Sequence, residues 1–117
     1  MNKREVGSRK EDTAARYLEQ IGMRILCRNY SCYRGEIDLI ARDGDYLVFV
    51  EVKYRYNDRY GWGEAHVTKA KQQKIAKVAR QYLLAQGYIK EPLCRFDVVA
   101  IDGERLLHFP NAFEAGN

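Results

Sequence analysis

Residues 35–55, GEIDLIARDGDYLVFVEVKYR, embed Glu36, Asp38, Glu51 and Lys53 in two runs dense in valine, isoleucine and leucine, with Asp43-Gly44 between them. Alternating runs on either side of an Asp-Gly pair are the short-range signature of a β-hairpin. Side chains alternate along a strand, so Phe49, Glu51 and Lys53 share one face of the second run while Val48, Val50 and Val52 share the other. Apolar residues on both faces belong to a strand covered on both sides, which commits the rest of the chain to supplying that cover. With Asp43 and Gly44 as the loop, Arg42 pairs with Asp45, Asp38 falls opposite Phe49, and Glu36 falls opposite Glu51.

The cover is legible on either side of the hairpin. Residues 11–21 repeat Ala14, Ala15, Leu18 and Ile21 at helical spacing, with Gly22 as a stop. Residues 67–86 do the same with Ile75, Val78, Ala79, Tyr82 and Leu83, stopped by Gly87. MRILCRNY is rich in strand formers, CRFDVVAI reads as a buried apolar strand, and RLLHF reads as a shorter strand after a turn at Asp102-Gly103. The predicted order is αβββαββ, an α/β fold with a central sheet flanked by helices. A chain of 117 residues with no repeat or Pro-rich linker makes one domain, residues 1–117. Residues 57–64, NDRYGWGE, read as a mobile loop between strand and helix.

Composition narrows the function classes. No apolar stretch approaches the roughly 20 residues that span a bilayer, and the opening MNKREVGSRK holds no apolar signal core, so a cytoplasmic location is expected. Cys27, Cys32 and Cys94 are odd in number and lack CxxC spacing, which argues against a disulfide framework and a zinc knuckle. A net charge of +4 favours encounter with a polyanion without identifying one.

Glu36, Asp38 and Glu51 converge on one face of the predicted hairpin, and like charges across a strand pair repel unless a cation or proton intervenes. A magnesium ion resolves that conflict with the oxygen ligands it prefers, and it can activate water for attack on a phosphate. Lys53, two residues past Glu51 on the same face, can orient that water or offset charge in the transition state. The residues alone leave a second reading open, in which these groups form a solvated polar stripe. Against it stands the density of valine and isoleucine around them.

GEIDLIARDGDYLVFVEVKYR resembles the signature of the YraN family of small bacterial proteins, which are similar to archaeal Holliday-junction resolvases. The resemblance extends to GSRKEDTAARYLEQIGMRILCRNY, VTKAKQQKIAKVARQYL and RFDVVAI. It implies a restriction-endonuclease-like fold of the PD-(D/E)XK superfamily and a Mg2+- or Mn2+-dependent endonuclease, a hydrolase acting on branched or structured DNA. It further implies that Asp38 and Glu51 bind the metal and act in catalysis, that Lys53 is the catalytic lysine, and that the Val52 carbonyl is a further ligand. Glu11 matches an acid on the opening helix that faces the metal directly or through water; it reads equally as a glutamate in the first turn of that helix. Ile37 stands where the PD motif has proline. A homodimer is also implied, and a protein that binds nucleic acid without cutting it is the alternative function.

Lys69, Lys74, Lys77 and Arg80 spread over one side of the second helix, where they are either solvated or in contact with phosphates. Lys71 lies at the edge of the apolar stripe, in reach of the sheet, and the family carries a matching lysine. Tyr54, Tyr56, Tyr60 and Trp62 interleave with Arg55 and Arg59, a mixture suited to stacking on unpaired bases or to packing on a protein partner. Lys71, Lys74, Arg55 and Arg59 are therefore the candidate nucleic-acid contacts. His66 and His108 have no ligand-spaced companions and read as structural.

Overall fold

In the computed structural model, the structure describes the backbone of residues 3–55 and 67–114, with side chains for residues 9–54 and 67–114. The chain runs α1 (Lys3–Gln20), β1 (Arg24–Cys32), β2 (Gly35–Asp43), β3 (Tyr46–Arg55), α2 (Lys69–Ala85), β4 (Leu93–Asp102) and β5 (Arg105–Phe113). The five strands form one mixed sheet in sequential order, antiparallel except between β3 and β4. A parallel pair needs a crossover, and α2 lies within it. Among the described residues, no helix is long and apolar enough to cross a membrane.

The two faces of β3 build two cores. Val48, Val50 and Val52 pack with Ala14, Ala15 and Leu18 of α1, together with Leu39, Val99 and Ile101. Phe49 packs on the opposite face with Ile75, Val78, Ala79 and Tyr82 of α2, and its ring stacks on Phe96 at 5.5 Å. Leu47 through Val50 are each no more than 1% exposed, so the centre of β3 has water on neither face.

Four details differ from the sequence expectation. The β2–β3 loop is Gly44-Asp45, closed by the pair Asp43↔Tyr46, so Ile40 rather than Asp38 faces Phe49. Glycine explains the shift: Gly44 takes φ +60, and a hairpin loop with glycine first is a favoured two-residue connection. The slip is two residues in sum, so every side chain keeps its face. A helix starting at residue 11 is also corrected. Because α1 begins at Lys3, Glu11 sits mid-helix and the first-turn reading falls. The second helix begins two residues later than expected because Thr68 caps it, its hydroxyl accepting from the Lys71 N–H at 3.2 Å. Finally, β5 runs on past RLLHF to Phe113, with a register break between Phe96 and Val98 of β4.

CRFDVVAI conceals a buried acid. Asp97 is 0% exposed and its carboxylate accepts from Arg95 at 2.9 and 3.0 Å, from the Asn111 N–H at 2.9 Å, and contacts His108 Nε2 at 2.7 Å. Arg95 also donates to Asp43 at 3.0 Å, and Tyr17 of α1 meets His108 Nδ1 at 3.0 Å. The network joins α1, β2, β4 and β5. Burial pushes the Asp97 carboxyl up, but Arg95, Asn111 and His108 outweigh it and hold the carboxyl below the usual range. Its stabilisation is therefore complete above an ordinary aspartate pKa and is lost only as pH falls through the depressed value. Asp97→Asn, which leaves the Arg95 charge with the more exposed Asp43 as its carboxylate partner, should cost about 3 kcal/mol in urea unfolding at pH 7, whereas Tyr17→Phe should cost about 1 kcal/mol. Equal, small losses from both would show that the network does not brace the sheet.

Candidate functional site

The row that holds Phe49 in the core continues along β3 to Glu51, whose side chain remains 10% exposed. Beyond Leu39↔Val50 the β2–β3 ladder stops although both strands continue, and extending its register sets Asp38 opposite Glu51. Asp38 supplies its own link there: its Oδ2 accepts from the Val52 N–H at 2.8 Å, where the backbone ladder has ended. Asp38 and Glu51 are thus held at the border of the core by sheet geometry.

These two acids open onto a surface cavity of about 420 Å³, lined also by Ser31, Cys32, Gly35, Glu36, Lys71 and Lys74. One wall comes from β2 and β3 and carries the acids; the other comes from α2 and carries the lysines. Lys71 reaches across, with Nζ 2.8 Å from Glu51 Oε1. Gly35 permits the close approach of the β1–β2 turn to α2, because it adopts φ +141 and a Cβ there would lie 3.2 Å from Lys74 Cε.

Electrostatically the site is over-supplied with negative charge. Burial pushes the Asp38 carboxyl up to about 7, the Glu51 charge adds to the effect, the Val52 N–H opposes it, and Glu11 and Glu36 add again. Burial likewise raises Glu11, against a hydrogen bond from the Asn29 side chain. The Glu51 hydrogen bond raises Lys71 first, and Asp38 and Glu36 also favour its charged form. Two fixed carboxylates with hard oxygens, one of them penalised for ionising, suit an oxygen-preferring divalent cation better than a single ammonium. Among the described residues, no three His, Cys, Asp or Glu side chains gather into a set that could hold a metal ion. A metal here would rest on Asp38 and Glu51, with backbone oxygen and water completing its shell.

Asp38, Glu51, Lys71 and Lys74 therefore meet in one cavity. Glu11 and Lys53 are not part of its lining; Lys53 lies half-buried two residues beyond Glu51. The Arg55 side chain, Arg59, His66 and the aromatic segment from Tyr56 to Trp62 lie outside the described residues. Sequence reasoning missed Asn29, which holds Glu11 and adopts φ +53, as well as Ser31 and Cys32 in the cavity wall. The only signal for Asn29 was an asparagine interrupting a strand pattern, the non-glycine type that best tolerates that conformation.

A family model described as "Uncharacterised protein family UPF0102" matches residues 10–101, a span holding every described residue of the cavity. Among similar proteins, one named "UPF0102 protein" from Lachnoclostridium phytofermentans is 48% identical over 115 residues, covering 98% of each chain. A "UPF0102 protein" from Pelotomaculum thermopropionicum is 46% identical over 114 residues, covering 92% of this chain and 94% of its own. Another, from Yersinia pseudotuberculosis, is 45% identical over 114 residues and covers 97% of each.

Because the Asp38 carboxyl is raised, the folded protein holds a proton that the unfolded chain has released between about pH 4 and pH 7. Stability in EDTA should accordingly fall as pH rises through that window, and Asp38→Asn, which can still accept from Val52, should remove the fall. The expected gain of the variant over wild type at pH 8 is on the order of 2 kcal/mol by urea unfolding. Parallel profiles for the two proteins would show that Asp38 is not under charge stress.

Proposed function

Since the chain belongs to the uncharacterised protein family UPF0102, whose name states no activity, we propose from the site itself that it is a divalent-metal-dependent nuclease cutting phosphodiester bonds in DNA. This is the YraN family that residues 35–55 resemble. The observation that carries the reading is the meeting of Asp38 and Glu51 in a cavity whose facing wall is Lys71 and Lys74. Acids to hold a metal and cations to hold a polyanion on opposite walls of one opening are what phosphodiester cleavage needs.

A mixed sheet with α1 packed on one face and α2 on the other, and an acid followed by Glu-Val-Lys on a central hairpin, supports a restriction-endonuclease-like PD-(D/E)XK assignment. In that reading Asp38, Glu51 and the Val52 carbonyl hold Mg2+ or Mn2+, and Glu11 assists through water. When bound, the ion supplies Lewis acidity to the phosphate and lowers the pKa of an attacking water. Glu51 is positioned by β3 and Asp38 by its bond to Val52. Lys53 orients the water or offsets charge gathering on the phosphate. Lys71 and Lys74, with Arg55 and Arg59, attract the backbone without regard to sequence. Branched or structured DNA is the substrate class that the resolvase similarity implies, with a homodimer as the acting form.

The Lys71–Glu51 ion pair favours a second reading, a nucleic-acid-binding protein that does not cut, since it already neutralises one acid. Labelled linear, single-stranded, flap and four-way-junction DNA, incubated with wild type and Glu51→Ala in Mg2+, Mn2+ and EDTA, separates the two. Metal-dependent cutting that falls at least about 100-fold in the variant is expected for the loss of a group acting in the transition state. Salt-dependent binding by both proteins, with no cutting by either, would move the assignment to the binding protein.

A further inference from the structure

Lys71 sits where a helix gains nothing from it. It lies in the first turn of α2, beside Lys69 and with no acidic residue in that turn, at the end where the helix dipole disfavours a cation. Its ammonium instead spans the cavity to Glu51 Oε1 at 2.8 Å. The two partners differ in freedom: the Glu51 side chain is 10% exposed and set by the sheet, whereas that of Lys71 is 52% exposed on a flexible stem. One partner can leave and the other cannot. Neutralisation is also incomplete, because the Lys71 ammonium is committed to Glu51 while the Asp38 carboxylate in the same cavity accepts from the uncharged Val52 N–H at 2.8 Å.

We propose that Lys71 is the resident counter-cation of this site: it holds Glu51 until a divalent cation takes the carboxylate, and its released ammonium then serves the phosphate of the substrate. The inference rests on the reading of Asp38 and Glu51 as a metal site. A doubly charged ion brings two charges to the two acids where the ammonium brings one and bonds Glu51, which gives the exchange its direction. The freed ammonium stays in the same cavity as Lys74, so the cationic wall gains a charge as the acidic wall is filled. Metal and substrate are thereby coupled through a lysine that pairs with Glu51 in the metal-free protein and with the phosphate in the loaded one. Lys71 is on this account a positioning residue for Glu51 in the metal-free protein and a phosphate contact in the loaded one.

Calorimetric titration of the full chain with Mn2+ tests the exchange in wild type, Lys71→Met, Lys74→Met and Glu51→Gln. Lys74→Met removes the same charge from the same cavity and sets the purely electrostatic baseline. Lys71→Met should bind Mn2+ roughly 3- to 10-fold more tightly than Lys74→Met, the competition of a partly exposed ion pair having been removed. Binding equal to or weaker than that baseline overturns the proposal, because the lysine then only organises Glu51. If Glu51→Gln binds Mn2+ as wild type does, or wild type does not bind it, the metal-site reading falls and takes the proposal with it. Should Lys71→Met fail to fold, wild-type protein labelled at lysine Cε gives the answer by NMR, with Lys71 assigned from Lys71→Arg. Mg2+ should move the Lys71 resonance to its position in Glu51→Gln; a resonance that Mg2+ does not move overturns the exchange.

Discussion

The burial of β3 on both faces is the constraint around which the molecule is arranged. Along its centre, successive side chains pass alternately into the α1 core and the α2 core, so neither helix can be lost without wetting the same strand. That double cover also fixes the site. Glu51 continues the row of Leu47 and Phe49, which places a carboxylate one step from a ring that is 1% exposed in the α2 core. A polar group so placed inherits the rigidity of the sheet, and rigidity is what a metal ligand or a catalytic group requires.

Two aspartates, one buried and one partly so, show how differently such charges can be managed. Asp97 is fully enclosed, yet Arg95, His108 and the Asn111 N–H satisfy it and hold its carboxyl low. Asp38 is less enclosed but has the Val52 N–H against burial and three other acids, and its carboxyl is raised. One acid is closed within the protein; the other is left with a deficit that something from outside can fill. Among the described residues no buried side-chain nitrogen or oxygen lacks a partner, so the strain at Asp38 is electrostatic and not a missing hydrogen bond.

The lysines of α2 complete this division. The helix turns Ile75, Val78, Ala79 and Tyr82 to the sheet, and the same rotation carries Lys71 and Lys74 to the cavity rim. A single amphipathic helix thus supplies both the cover for β3 and the positive wall facing its acids. Packing and electrostatics at this site share one set of elements, which is why a shift in the hairpin register mattered to the reading of the acids.

By itself the sequence determined the hairpin, the two covering helices and the sharing of a face by Glu51 and Lys53, because strand and helix periodicities are local properties of the chain. It also placed Asp38 on that face, since a two-residue error in register preserves facing even when it names the wrong neighbour. Tertiary structure alone decided that Asp38 falls in line with Glu51, that its carboxylate replaces the ended ladder at Val52, and that Lys71 is the cation that meets Glu51. It alone revealed the Asp97 network, whose members stand on α1, β2, β4 and β5 and leave no periodic trace in any of them. The physical reason is common to all of these. Alternation reports which side a residue faces, whereas partner and pKa depend on distances between segments that only folding brings together.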